Sequence, residues 1–290
     1  MQTEWKTATF QFWQDSHLYR DYGHDHALDQ SPHRLELPRL LKECQNVLDL
    51  ACGDGENLPF VPSGVTYTGC DCSPAALDRL MARSDHPALN KTAHPCDISQ
   101  LPLPDASQDA LISSFAFEHF LEVPKILAEC DRVLRPGGLI VLFGPDFSFP
   151  NNYGPPQGPW LEQSKRRLYW YALQRLARKW ISTLRGHCAL FEYVEPLPLD
   201  DGTYVPDADM THLTSHKTIA NYMRRKAGYE CLELVPTRNH RSWLRRCLSS
   251  LGLWGEHGDT RLVLRKPMVP PRHQHVTVRE CCIFRQNTNS

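Results

Sequence analysis

The segment VLDLACGDGENL, residues 47–58, decides the fold. A short apolar run containing Asp49 has the length of a buried strand, and it leads into a loop of small residues, Ala51, Gly53 and Gly55. Glycine lets a ligand lie against the main chain because it has no Cβ atom. Open α/β sheets bind ligands at the carboxyl edge of their parallel strands. The segment therefore predicts a strand, a ligand-binding loop and a following helix.

The same alternation of strand and helix patterns continues up to about residue 145. Ser73 followed by Pro74 is typical of a helix start. Strands alternating with helices predict an α/β domain with a doubly wound, mostly parallel sheet. The predicted strands are 46–51, 66–71, 109–115 and 139–144, and the predicted helices begin at 73 and 123.

After residue 144 the pattern breaks and returns only later. A loop rich in Pro, Gly and Asn is followed by a basic, aromatic and amphipathic helix over residues 162–185. The sheet pattern resumes with a helix and strand near 215–236 and a last strand near 258–267. We therefore expect an N-terminal helical cap (1–44), one domain (45–266) with a lid and acceptor-binding insertion (145–210), and a flexible tail (267–290).

Composition excludes several classes of protein. The chain has 290 residues, with 32 basic and 33 acidic side chains and a net charge of −1, so no overall field favours nucleic acid. Neither a membrane span nor a signal peptide is evident, so we expect a cytoplasmic protein. The 11 cysteines are scattered, and the spacing of Cys70 and Cys72 does not match a zinc site, so we expect reduced thiols and no metal.

The loop chemistry indicates which nucleoside is bound. Asp71 ends the next strand, 18 positions after Gly53, where a carboxylate can accept both hydroxyls of a ribose. A nicotinamide dinucleotide prefers a third glycine where this chain has Leu58, and its phosphates would meet Asp54 and Glu56. S-adenosylmethionine carries positive charge and no phosphate. The loop therefore favours the sulfonium cofactor over the dinucleotide.

Four ordered motifs then resemble one family: VLDLACGDGENL, YTGCDCSPAAL, HPCDISQLPLPDASQDALISSFAFEHF and AECDRVLRPGGLIVLF. Over residues 45–145 the chain resembles the class I S-adenosylmethionine-dependent methyltransferases, in particular the type 11 methyltransferase-domain group. The resemblance implies a Rossmann-like, seven-stranded sheet with a helical and loop insertion after strand 5. It implies a cofactor site made of Asp49, Ala51, Cys52, Gly53 and Gly55 around the methionine part, Asp71 on the ribose, Cys72, Asp97 and Ile98 near the adenine, and Ser114 and Phe115 beneath the cofactor. The family more often has glycine in place of Ala51.

Catalysis is predicted with less detail. Methyl transfer is an in-line displacement that depends mainly on orientation, although a nitrogen or hydroxyl acceptor can need a base. Glu118, His119 and His212 are the candidate catalytic residues. The alternative for Glu118 and His119 is a helix-capping or packing role, and the alternative for His212 is a place in a solvated turn. The predicted acceptor-binding residues are Phe147, Tyr153, Asp209 and His212.

The acceptor is expected to be a small molecule or glycan methylated on oxygen or nitrogen. One alternative is a nicotinamide-dependent reductase. Another is a non-catalytic module that contacts a membrane surface or RNA through the basic helix 162–185, although we expect no nucleic acid partner. Cys281 and Cys282 raise a further option, a thiol-bound soft element as the methyl acceptor.

Overall fold

A computed structural model describes the parts of the chain that carry the predicted motifs. Those parts are residues 31–86, 90–146, 187–194, 212, 214–236, 259–269 and 279–285, with isolated positions at 7, 11, 13–14 and within 173–185. For 187–190, 194 and 279–285 only the backbone is described. Phe147, Tyr153, Asp209 and most of the predicted insertion and basic helix lie outside the described residues.

Nine strands and four α-helices are described. The strands are β1 (Asn46–Leu50), β2 (Thr66–Asp71), β3 (Asn90–Pro95), β4 (Gln108–Ser114), β5 (Leu134–Pro145), β6 (His187–Val194), β7 (Glu230–Pro236), β8 (Asp259–Arg265) and β9 (Arg279–Arg285). The helices are α1 (Leu37–Leu40), α2 (Pro74–Ala82), α3 (Val123–Val133) and α4 (His216–Ala227). Short 3-10 helices cover Arg34–Glu36, Leu58–Phe60 and Phe117–His119.

Seven strands form one mixed sheet in the order β3-β2-β1-β4-β5-β8-β7. The first five are parallel, and β8 runs antiparallel to both β5 and β7. This confirms the predicted Rossmann-like fold class. The chain moves outward from β1 to β3 and then returns to β4 on the other side of β1, so the strand order reverses between β1 and β4. Open α/β folds bind ligands at this switch point.

Helices cover both faces of the sheet. On one face α3 and α4 pack onto β1, β4 and β5 through a single buried cluster. On the other face α1 and α2 pack onto β1 and β2 through a second cluster. Each fully buried Leu or Ile stabilises the fold by about 1.5–3 kcal/mol relative to exposure, so these two layers hold the carboxyl ends of the strands in place.

The helix beginnings follow from local chemistry. The Ser73 side chain accepts a hydrogen bond from the Ala76 N–H at 3.4 Å, and Pro74 occupies the first turn of α2, as predicted. The Ser215 side chain caps α4 in the same way, and Gly228 ends that helix with φ +74°. These caps fix where α2 and α4 begin at the carboxyl edge.

The structure differs from the sequence predictions in two elements. The loop after β1 leads into the three-residue 3-10 helix Leu58–Phe60, not into the expected α-helix, and a proline lies within that helix and another two residues beyond it. Strand β9 lies within the predicted flexible tail, where it pairs in parallel with β6. The residues of β9 therefore have regular backbone hydrogen bonds that the sequence pattern did not reveal.

Candidate functional site

The loop after β1 has the backbone that the ligand argument requires. Ala51, Gly53 and Gly55 all have left-handed conformations, with φ values of +54°, +54° and +85°. A Cβ atom on Gly55 would lie 2.4 Å from Cδ1 of the buried Leu80 in α2, so a side chain there would displace Leu80. Alanine is strained at such φ values, and Ala51 therefore stores backbone strain at the switch point.

Asp71 ties this loop to the end of β2. Its Oδ2 accepts a hydrogen bond from the Gly53 N–H at 2.9 Å, and its Oδ1 accepts one from the Ser73 N–H at 2.9 Å. Burial raises the pKa of Asp71, while these backbone donors act in the opposite direction. The side chain is only half-buried, so each oxygen can still accept a bond from a ligand hydroxyl.

Asp49 was predicted to lie in the cofactor site, but its carboxylate is buried within the protein. It is fully buried, and both of its oxygens accept hydrogen bonds from protein donors. Tyr67 Oη donates to Oδ2 at 2.6 Å, and Asn57 Nδ2 lies 3.2 Å from Oδ1 and 3.1 Å from Oδ2. Burial raises the pKa of Asp49 to about 7, although both donors act to lower it. Asp49 therefore supports the loop from beneath.

Asn57 connects the β1 loop with β4 and with the N-terminal segment. Its Nδ2 lies 2.9 Å from Oγ of Ser114, and its Oδ1 accepts from Arg34 Nε at 3.2 Å. Arg34 is itself buried, and its guanidinium carbon lies 5.8 Å from the ring centroid of Phe115. Sequence reasoning missed Asn57, Tyr67 and Arg34, because their roles depend on contacts between distant parts of the chain.

Asp54 and Glu56, the two acids of the loop, do not present free negative charge to a ligand. The sequence prediction had assumed that they do. Glu56 forms an ion pair with the buried Arg34. Asp54 Oδ2 lies 4.0 Å from Arg79 Nε in α2, and its carbonyl oxygen accepts a bond from Arg83 at 3.5 Å. Their charges are therefore largely balanced within the protein. The loop geometry disfavours a diphosphate more strongly than these charges do, because only a three-residue 3-10 helix lies between β1 and β2.

The predicted adenine side lies at the ends of β2 and β3. Cys72 is half-buried next to Asp71, and Ile98 is half-buried against the core cluster below α3. Asp97 is exposed, and its Oδ1 accepts from the Ser99 N–H at 2.8 Å, as an aspartate in a turn does. The structure brings these residues to the same edge as Asp71.

A second group of residues surrounds the carboxyl ends of β4 and β5. Phe115 has φ +50°, and its N–H donates to the Phe143 carbonyl at 2.9 Å. Gly144 lies directly beneath it, because a Cβ atom there would be 3.4 Å from the Phe115 backbone and 3.7 Å from Glu118 Oε2. Glu118 is buried and thus directed toward the end of β5. Phe115 and Ser114 therefore lie at the switch point.

His119 lies beside Glu118 at the carboxyl edge of the sheet, just after β4. Its Nε2 lies 3.9 Å from Glu118 Oε1, and its ring contacts the Trp13 ring edge-to-face with centroids 5.3 Å apart. The His119 side chain is 15% exposed and the Glu118 side chain 5%. The pair has the composition of an acid–base site at the end of β4.

His212 does not fit its predicted role as a base or acceptor ligand. It is completely buried, its Nε2 donates to the Phe117 carbonyl, and its Nδ1 accepts from the Thr214 N–H at 3.2 Å. Burial lowers the pKa of His212 to about 3. Both ring nitrogens are thus engaged in holding residues 212–214 against the 3-10 helix that contains Glu118. The short polar pattern around His212 predicted an acceptor-binding residue or, as the alternative, a solvated turn, whereas the ring lies between Phe117 and Tyr193.

Asp146 and His216 form a further pair that sequence reasoning missed. Asp146 follows β5 directly and accepts from the His216 N–H at 3.2 Å and from Thr260 Oγ1 at 3.4 Å. His216 Nδ1 lies 3.8 Å from Asp146 Oδ1, and both side chains are buried. Neither ring nitrogen of His216 has a hydrogen-bond partner within the described parts of the chain. The signal in the sequence was only an acid after a strand and a histidine at a helix start.

Comparison with known proteins identifies the domain that this geometry belongs to. Residues 48–142 match the family model of the methyltransferase domain. Over these residues the chain is similar to the methyltransferase domain of that family. The match includes the β1 loop, Asp71, Asp97 and the end of β4, and it ends before Asp146. It confirms the predicted family and S-adenosylmethionine as the expected cofactor.

Two curated proteins that resemble this region are named as methyltransferases of different substrates. A demethylmenaquinone methyltransferase of Streptomyces avermitilis is 34% identical over 110 residues, which cover 38% of this chain and 45% of that protein. A malonyl-[acyl-carrier protein] O-methyltransferase of Serratia marcescens is 36% identical over 100 residues, which cover 33% of this chain and 37% of that protein. The chain thus spans less than half the length of either relative.

A solved structure supports the fold alone. One chain of a Haloferax volcanii complex containing the Trm112 methyltransferase activator matches 86% of this chain and 97% of its own length, with a TM-score of 0.50 and 16% identity. No helix among the described residues is long and apolar enough to cross a membrane.

Proposed function

We propose that the protein transfers the methyl group of S-adenosylmethionine to a small-molecule acceptor. The observation that carries the proposal is at the carboxyl edge of the sheet beside the switch point, where Gly53 after β1 and Asp71 at the end of the adjacent β2 are hydrogen-bonded. When bound, the cofactor supplies an electrophilic methyl group on a sulfonium. The protein's own task is to bind and orient, which can supply roughly 7–11 kcal/mol.

The crevice suits the parts of this cofactor. Asp71 would accept the ribose hydroxyls while keeping its bonds to the loop, and Cys72, Asp97 and Ile98 would line the adenine side. The left-handed backbone over residues 51–55 leaves room for the methionine part. A nicotinamide dinucleotide is disfavoured, because its pyrophosphate normally lies on a helix N-terminus and only a three-residue 3-10 helix follows this loop.

The acceptor would lie over the ends of β4 and β5. Glu118, His119, Asp146 and His216 provide two carboxylate–histidine pairs there, and either pair could take a proton from a hydroxyl or amine acceptor. A glycan-type or other hydroxylated small molecule remains our proposal for the acceptor. A quinol ring of the kind implied by the relatives' names is the second candidate, because the half-buried Phe115 ring lies at the end of β4 and packs edge-to-face on the buried Phe143, with ring centroids 6.0 Å apart.

The test is a mass-shift screen for methyl transfer. The purified protein is incubated with S-adenosylmethionine carrying a deuterated methyl group and with a small-molecule extract, and products are searched for the mass of one labelled methyl. The proposal predicts at least one product that depends on the protein. No labelled product with any extract, from folded protein that binds S-adenosylhomocysteine, would contradict methyl transfer.

Matched variants of two aspartates locate the chemistry. Asp71→Asn keeps the shape of the side chain but removes its charge, and it should weaken S-adenosylhomocysteine binding by about 1.5–3 kcal/mol, roughly 10–100-fold. Asp105→Asn is the control, because the Asp105 side chain is 78% exposed in a loop and pairs only with Arg132 among the contacts described. Equal affinities for the two variants would place the nucleoside elsewhere.

A further inference from the structure

The described part of the basic helix exposes its apolar side chains. Between residues 173 and 184 the described positions are helical. Four apolar residues among them are exposed and follow one another at intervals of four, three and four positions: Leu173, Ala177, Trp180 and Leu184. Trp180 is 65% exposed and Leu184 is 81% exposed. The spacing puts the four residues on one face of the α-helix, and we call this face the apolar stripe.

The opposite face of the helix is polar and packs against the protein. Ser182 is buried, and it lies about 180° around the helix from Leu173 at 3.6 residues per turn. Arg178 Nη1 lies 3.9 Å from Oε1 of the buried Glu192 in β6. These contacts fix the rotation of the helix, so the apolar stripe faces away from β6.

This orientation is the reverse of the usual one. An amphipathic helix on a protein surface normally turns its apolar face toward the core. Ile181, beside the stripe, is also exposed, so the apolar residues form a contiguous surface. Single exposed apolar residues are ordinary, whereas a contiguous exposed surface marks a binding site. The apolar stripe therefore calls for a partner that itself offers an apolar environment.

The charge of the segment indicates the chemistry of that partner. Residues 162–185 carry seven basic side chains and one acidic side chain, in a chain whose net charge is −1. The basic residues are Lys165, Arg166, Arg167, Arg175, Arg178, Lys179 and Arg185. Interleaved with them are the aromatic residues Tyr169, Trp170, Tyr171 and Trp180. Basic residues combined with tryptophan, tyrosine and leucine are typical of helices that lie in the headgroup region of an anionic bilayer.

We propose that the apolar stripe is a membrane-docking surface, and that the helix lies in the plane of a lipid surface that carries anionic headgroups. Trp180 and Leu184 enter the boundary between headgroups and acyl chains, and Arg185 with the neighbouring positive charges attracts the lipid phosphates. The surface lies outside residues 48–142, so the match to the methyltransferase domain does not assign it. Docking is independent of the proposed methyl transfer.

Two other partners fit the stripe less well. In a symmetric dimer through this face, the positively charged segments of the two copies would lie together and repel each other. RNA could use the positive charge and the aromatic rings, but it offers no apolar surface to Leu173 and Leu184. A lipid surface satisfies the charge and the apolar residues together.

Cosedimentation with vesicles tests the docking. The full-length protein is mixed with vesicles of phosphatidylcholine, either alone or together with phosphatidylglycerol. It should sediment with the anionic vesicles and stay in solution with the neutral ones. Salt should weaken the binding, because the screening length falls from about 10 Å at 0.1 M to about 3 Å at 1 M ionic strength. Absence of binding to anionic vesicles at low salt, or equal binding to neutral vesicles, would overturn the proposal.

Substitutions at exposed side chains locate the surface. Trp180→Glu combined with Leu184→Glu should weaken binding to anionic vesicles at least about tenfold. Leu35→Glu combined with Met268→Glu is the matched control, because it adds the same charge at two exposed apolar residues outside the stripe, 68% and 73% exposed. Thermal unfolding checks that both variants are folded. Equal loss of binding in the two variants, or no loss in the first, would overturn the proposal.

A single change of charge tests the electrostatic part. Arg185→Gln should weaken binding to anionic vesicles roughly fivefold, because Arg185 is exposed next to the stripe. Lys42→Gln is the control, since Lys42 is exposed just after α1 and lies far from the stripe in sequence. It should leave binding unchanged. An equal effect of the two substitutions would mean that overall charge, and not this surface, attracts the vesicles.

Measurements without lipid decide between the partners. In sedimentation velocity, wild-type protein and the variant with Trp180→Glu and Leu184→Glu should have the same oligomeric state. A dimer that this variant dissociates would overturn the proposal and assign the stripe to a second copy. RNA binding that the same variant abolishes, without vesicle binding by the wild-type protein, would assign it to RNA. None of these assays uses cofactor or acceptor, so a failure of the proposed methyl transfer would leave their results unchanged.

Discussion

The buried carboxyl of Asp49 should make the stability of the protein depend on pH. Asp49 is fully buried between Tyr67 and Asn57, and burial raises its pKa to about 7 from the usual 3.8 of an aspartate. In the folded protein it therefore holds a proton over a range of pH in which the unfolded chain has already released it. The perturbation that removes this effect is Asp49→Asn, which keeps the size of the side chain and cannot ionise.

The sign and size of the effect follow from linkage. Because the folded-state pKa is raised, the contribution to stability is fully present below about pH 4 and is lost as the pH rises through about 7. One pKa unit corresponds to about 1.4 kcal/mol. Between pH 5 and pH 8 the free energy of unfolding of the wild-type protein should therefore fall by about 2–3 kcal/mol relative to Asp49→Asn.

The assay is denaturant unfolding of both proteins across this range of pH, with the difference between them taken at each pH so that other titrating groups cancel. Tyr67→Phe is a second variant. Tyr67 donates to the ionised form of Asp49, so its loss should raise the pKa of Asp49 further and move the change to higher pH. A difference between wild type and Asp49→Asn that stays constant from pH 5 to pH 8 would refute the reasoning.

Three substitutions test the loop and its supports. Ala51→Gly should raise the free energy of unfolding by about 0.5–1 kcal/mol, because φ is +54° there; a lower melting temperature would contradict the strain. Gly55→Ala should lower the free energy of unfolding by at least about 2 kcal/mol more than Gly64→Ala does. Both glycines have similar positive φ, but only the new Cβ at position 55 would meet another atom, 2.4 Å away. Equal losses of stability in thermal unfolding would refute this. Arg34→Met should lower the free energy of unfolding by about 3–5 kcal/mol, because it leaves the partly buried Glu56 without its ion-pair partner. In chemical unfolding, the double variant with Glu56→Gln should recover part of that stability. Additive losses from the two substitutions would argue against the ion pair.

Elements with continuous buried runs could be predicted from the sequence. β1, β2 and β4 are buried along almost their whole length, so their apolar composition marked them, and Ser73 with Pro74 marked the beginning of α2. β3 escaped prediction, because it is the edge strand of the sheet and none of its residues is fully buried. An edge strand has only one neighbour, and its sequence need not be apolar.

Features that depend on distant contacts could not be predicted. The pairing of Glu56 with Arg34 joins residues 22 positions apart, and it changes the charge that the loop presents. His212 illustrates the same limit, because a polar stretch predicted an exposed residue at the acceptor site or in a turn, while contacts with Phe117 and Tyr193 bury the ring. Local patterns report local propensity, and the electrostatics of a site depend on which side chains the fold brings together.

The choice between a sulfonium nucleoside and a dinucleotide is the central claim, and calorimetric titration of the wild-type protein tests it most directly. Under identical conditions S-adenosylhomocysteine should bind with one molecule per chain, and NADH should give no saturable heat. Tighter binding of NADH than of S-adenosylhomocysteine would contradict the assignment of the crevice.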